Sequence, residues 1–130
     1  MRSILLASLL NLLITPQPTS AQSVPGNGLY EACTSEDPAL LGFCLGYLVG
    51  HIEGQFWGGL LFAQGVGATM ETSEFNAFAN SVFHHCVPSD ASNQQLRDVV
   101  VKYLSENPAS RHEPARYLVW EAYREAFPCE

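Results

Sequence analysis

The chain has 130 residues, 13 acidic against 6 basic, for a formal charge of -7. That balance argues against binding to nucleic acid or to an anionic membrane surface, both of which need a basic patch. The length allows one small domain, whose modest core gains from a covalent staple.

Residues 1–21 read as a cleaved export signal. Arg2 supplies a positive start, Ile4 to Ile14 an apolar run, and Pro16 and Pro18 precede the small-residue site Thr19-Ser20-Ala21. Cleavage is expected after Ala21. An apolar run of about eleven residues is too short for the roughly twenty that a bilayer-spanning helix needs. No cysteine stands at the cleavage point to carry a lipid. The mature domain, 22–130, then holds five basic against 13 acidic residues, a formal charge of about -8, since Arg2 is lost.

Ser23 to Gly28 contains Pro25, Gly26 and Gly28 and reads as a mobile lead-in, with order expected from about Leu29. Asp37-Pro38 is a strong helix start: the aspartate caps, and proline takes the first helical position, where an amide hydrogen has no partner anyway. The helix is expected to run to about Phe62, with Leu41, Leu45, Leu48, Ile52 and Phe56 on its core face. Gly42, Gly46, Gly50, Gly54 and Gly58 recur every four residues and form one stripe. Each costs up to about 1 kcal/mol of helix stability relative to alanine, so the stripe implies close packing, first of all within the chain and otherwise against a partner helix.

Gly65, Gly67 and Thr69 mark a break, and Glu74 to Phe83 reads as a further helix with Phe75, Phe78, Ala79, Val82 and Phe83 on its apolar side. His84 and His85 end it in a solvated or capping role, because adjacent helical residues point about 100° apart and do not chelate one metal together. His51 and His112 are isolated and read the same way. Beyond Cys86, Pro88 and Asp90 make a polar loop, and Ser92-Asn93-Gln94-Gln95 reads as a capping box. Leu96, Val99, Val100, Tyr103 and Leu104 line one face of the helix that follows, with Asp98, Lys102 and Glu106 on the other. Asn107-Pro108 ends it. The last helix starts around Glu113-Pro114 and turns Ala115, Leu118, Val119, Ala122 and Ala126 inward.

Cys33, Cys44, Cys86 and Cys129 in an exported chain read as two disulfides, for which three pairings exist. The preferred pairing joins Cys33 with Cys44, tying a short first helix to the start of the second, and Cys86 with Cys129, across the closing helical hairpin. A zinc site fits poorly, with no C-x-x-C and the cysteines scattered. With the thiols oxidised and no nucleophile beside a base, no catalytic residue, cofactor or metal is expected, and the chain does not read as an enzyme.

The run from Gln95 to His112, with its Asn107-Pro-Ala-Ser-Arg-His112 end, and the run Glu121-Ala-Tyr-Arg-Glu-Ala-Phe-Pro-Cys129 closely resemble the closing half of the Rap/Tai family of type VI secretion immunity proteins. Ala32-Cys33, Phe43-Cys44, Gly46-Tyr47 and Gly50 look like its opening motif, and the four cysteines follow its order. Phe62 to His85 departs from the pattern and is longer. The resemblance implies an all-α, disulfide-stapled periplasmic domain of four to five helices. It implies a homodimer that sterically blocks a peptidoglycan amidase toxin, with no nucleic acid, no membrane after signal cleavage and no cofactor. Val87, Pro88, Ser89, Asp90 and Ala91 are then the candidate loop that plugs the toxin. The alternative is a small periplasmic helical binding or acid-stress chaperone protein.

Overall fold

Asp37 opens the longest helix as expected: its Oδ1 accepts from Ala39 N at 2.7 Å and from Leu40 N at 3.3 Å, with Pro38 next in line. In the computed structural model, which describes residues 23–67 and 72–129, this helix is α2 (Pro38–Gly65). Before it stands α1 (Gly26–Thr34); after it come α3 (Thr72–Phe83), α4 (Asn93–Glu106), a 3-10 turn at Pro108–Ser110 and α5 (Ala115–Ala126). The protein is all-α, with five helices and no strand among the described residues. The proposed signal at 1–21 lies outside them.

The core forms where α1, the first half of α2, α4 and α5 meet. Leu29 and Cys33, Cys44 and Leu48, Leu96, Val100 and Leu104, and Leu118, Val119, Ala122 and Tyr123 make one buried cluster. Ser92 Oγ caps α4 by accepting from Gln95 N at 3.1 Å, and α4 stops at Glu106, just ahead of Asn107-Pro108. Three expected core positions are corrected. Ala126, the last residue of α5, is exposed at the rim of a shallow groove it shares with Val99 and Tyr103. Phe56 and Val82 are 40% and 48% exposed, since each lies beyond the reach of the four-helix core. Tyr123, fully buried, carries the bulk that the α5 pattern left unassigned.

The lead-in is not mobile as expected. Gly26 N donates to Glu113 O at 2.8 Å, Asn27 N to Arg111 O at 2.7 Å, and Ala115 N to Val24 O at 2.8 Å, so the segment is stitched to the turn before α5. Order begins ahead of Leu29, and Gly26 is a packing residue rather than a breaker. A Cβ on it would stand 2.3 Å from Leu118 Cδ1 and 2.9 Å from the Arg111 carbonyl.

Disulfides join Cys33 to Cys44 and Cys86 to Cys129, with Cα separations of 5.1 and 5.0 Å. The first ties the end of α1 to the first turns of α2. The second closes the chain end onto the loop between α3 and α4.

The glycine stripe overturns the expectation of packing within the chain. At Gly42, Gly46, Gly50, Gly54 and Gly58 an added Cβ would meet nothing within 4 Å. Cys44, Leu48, Gly59 and Ala63 are the buried residues of α2, and they occupy the opposite side. A helix of 28 residues is roughly 42 Å long, whereas α1 and α4 have 9 and 14 residues. Its second half therefore leaves the core and carries α3, with Gly59 against the rings of Phe75 and Phe83.

Candidate partner-binding surface

The loop from His84 to Ser92 is held at both ends before it displays anything. Trp120 Nε1 of α5 donates to Phe83 O at 2.7 Å, fixing the end of α3. His84 then turns the chain in the left-handed region, with φ 58°. Cys86 N donates to Phe127 O at 2.8 Å, beside its own disulfide. Ala91 N donates to Pro88 O at 3.0 Å, closing a turn, and Ser92 starts α4. Of the five residues expected at this surface, Val87 and Ala91 pack against the core as anchors, while Pro88, Ser89 and Asp90 are exposed. A loop held this way loses little conformational freedom when a partner closes over it.

Beneath the loop the structure brings together residues that sequence reasoning kept apart. His85 is buried, not solvated, and its Nε2 lies 3.1 Å from Gln55 Oε1. The rings of His85 and His51 stand 5.9 and 6.2 Å from the Tyr123 ring, from two sides. His51 Nε2 and the Tyr123 hydroxyl are buried with no hydrogen-bond partner. Burial, and then the neighbouring His85, push the His51 pKa down to about 4. Burial also lowers His85 and raises the Tyr123 hydroxyl. Both imidazoles are thus neutral at neutral pH. The one trace of this cluster in the sequence is the four-residue spacing of His51 and Gln55, which puts them on one helix face. His84 remains exposed, and His112 Nδ1 lies 2.9 Å from the Ala109 carbonyl, a local contact.

Beside the cluster, α2, α3 and α5 enclose an apolar groove of about 530 Å³, lined by Gly50, Gly54, Gly58, Phe62, Phe78 and Arg116 among others. The rings of Phe62 and Phe78 stack at 6.5 Å along it. Phe43, Trp57 and Leu61 are exposed on the same helix. No described helix is long and apolar enough to cross a membrane.

Of the cations, two reach inward and two pair with carboxylates on the surface. Arg97 Nε donates to Cys33 O at 2.7 Å, and Arg111 Nε to Leu104 O at 2.5 Å. Lys102 pairs with Glu106, and Arg124 with Glu121. The carboxylates in excess of these set the outer field. Both disulfides are closed, and among the described residues no group of His, Cys, Asp and Glu is placed to hold a metal. The arrangement is an acidic scaffold closed by two disulfides, presenting a loop held at both ends and an exposed apolar helix face.

The family model of the Rap1a immunity proteins matches residues 25–129. No curated protein and no solved structure matches the chain.

Proposed function

We propose that this chain, which belongs to the Rap1a immunity protein family and is thereby a type VI effector immunity protein, neutralises a peptidoglycan amidase in the periplasm by steric blockade. The observation that carries the reading is the family match over 25–129, nearly the whole described chain. An inhibitor of this kind binds its effector and performs no chemistry on it. Residues 1–21 serve as the export signal and 22–130 as the immunity domain, and two oxidised cysteine pairs suit an oxidising compartment.

The exposed Pro88-Ser89-Asp90 tip enters the groove of the toxin, with Val87 and Ala91 holding it from below. Its rigidity supports the role, since a plug already held in its bound shape gives up little entropy on docking. The acidic surface speeds capture of a basic hydrolase, an effect on association rate more than on affinity. The protein acts as a homodimer.

The test is capture and inhibition. The purified protein is mixed with peptidoglycan amidases exported by the same organism, and complex formation and muropeptide release are measured. Stoichiometric inhibition is expected, and Asp90→Arg is expected to slow association while leaving the circular dichroism spectrum unchanged. Failure to bind or inhibit any of those amidases would sink the amidase assignment.

A further inference from the structure

We propose that the exposed face of α2 is the contact between two copies of this chain, which cross antiparallel at Gly50. The inference rests on the homodimer proposed above and names its surface. At 100° per residue, Phe43, Gly46, Gly50, Gly54, Trp57 and Leu61 all fall within about 40° of one line along the helix. Phe43, Trp57 and Leu61 are 45%, 56% and 63% exposed, while a Cβ at any of the three glycines would meet nothing within 4 Å. The face therefore has bulk at both ends and bare backbone between them.

That pattern is its own complement under a two-fold axis. Two antiparallel helices that cross at residue 50 set Phe43 of one copy opposite Trp57 of the other, and Gly46 opposite Gly54. Gly50 meets itself, and Leu61 lies over exposed Ala39. A closed two-copy contact demands this, because each surface patch must fit the same patch turned around. An unrelated partner gives no reason for the bulk and the gaps to be spaced symmetrically about one glycine. With no side chains at the crossing, the axes approach closer than the usual 8–10 Å or so, which converts the cost of three helical glycines into packing. Glu53 lies about 60° off the line, at the wet rim, so its carboxylate stays hydrated.

The seam suits a weak, reversible dimer. From Phe43 to Leu61 it is roughly 27 Å long on a helix about 10 Å wide. Doubled over two copies, that footprint is about 540 Å², below the ~1,000 Å² of a stable specific interface and in the range of a transient contact.

Analytical ultracentrifugation of the purified protein over about 10 μM to 1 mM is the direct measurement, a range suited to a weak contact. A reversible dimer is expected, and Gly50→Leu and Trp57→Ala should each raise its dissociation constant at least tenfold. Gly50→Leu faces open space in the single chain, so its helical content should be unchanged. A second arm reads geometry. Gly50→Cys should form an intermolecular disulfide on mild oxidation, whereas Gly42→Cys should not, because antiparallel crossing at 50 sets the two copies of residue 42 roughly 24 Å apart, far beyond the ~7 Å a disulfide spans. A monomer throughout the range would overturn the proposal. So would a dimer indifferent to Gly50→Leu, or equal crosslinking at 42 and 50. A monomer that still inhibits an amidase refutes this contact alone, and a dimer that crosslinks at 50 but inhibits none refutes the amidase reading alone.

Discussion

Acid should loosen this protein through the histidine cluster, in a pH window set by His51. Its ordinary pKa of 6.5 is pushed down to about 4 in the folded chain, by burial first and His85 second. The unfolded chain therefore binds more protons than the folded one between those values. The stabilising effect is whole above pH 6.5, shrinks as pH falls toward about 4, and for this residue is flat below. Full burial would make the gap worth about 3.4 kcal/mol across the whole window, at 1.36 kcal/mol per pKa unit. The imidazole is only half-buried, so solvent screening reduces this to about 2 kcal/mol. About half of that falls between pH 7 and pH 5, before unfolded-state carboxylates begin to titrate. His85, lowered by its own burial, acts in the same direction. Urea unfolding followed by far-ultraviolet circular dichroism at pH 7, 6 and 5 should show the loss as a falling midpoint with a constant slope. His51→Leu keeps apolar bulk against Tyr123 and removes both the titrating group and a buried Nε2 without a partner. Its stability should rise slightly at pH 7 and lose about 1 kcal/mol less on going to pH 5. A His51→Leu protein with the same pH dependence as the parent would refute the assignment.

Gly26→Ala should cost about 3 kcal/mol, since the new methyl collides with Leu118 and with the Arg111 carbonyl and displaces the backbone bonds at Gly26 and Asn27; the urea midpoint at pH 7 reads this. Gly42→Ala, on open helix surface, should instead gain up to about 1 kcal/mol. Removing the second disulfide as Cys86→Ala with Cys129→Ala frees a loop spanning 43 residues and should cost about 4 kcal/mol in the chain-entropy model. The same variant should weaken amidase inhibition beyond the loss of stability, because it releases the loop whose tip is Pro88-Ser89-Asp90. Asp37→Ala leaves the amides of Ala39 and Leu40 without their acceptor and should cost about 1 kcal/mol, readable by the same unfolding curve.

What the chain discloses before folding depends on whether the relevant physics is local. Asp37-Pro38, Ser92 and Asn107-Pro108 begin and end helices through bonds made within a few residues, and the structure keeps each of them. The face of α4 is equally plain, since polar and apolar positions alternate with the helical period and Leu96, Val100 and Leu104 are buried. α2 defeats the same method because apolar residues and glycines fall on all its sides, with few polar residues such as His51, Glu53, Gln55 and Gln64 among them. A period cannot choose a face where every face carries apolar residues, so the glycines were expected inside the chain when they lie outside it. That uncovered apolar side is the face proposed above as the contact between two copies. The lead-in misled for a related reason. Pro25 and Gly26 have the residue types of a flexible linker, but their position is decided by Glu113 and Arg111, nearly ninety residues away along the chain. His51 and His85 needed the fold to meet at all, as did the choice among three cysteine pairings. The loop at 87–91 was visible as a polar turn, yet the division of labour within it was not. Packing of the partly buried Val87 and Ala91 against the core is a tertiary fact, and it leaves Pro88, Ser89 and Asp90 as the exposed part of the loop.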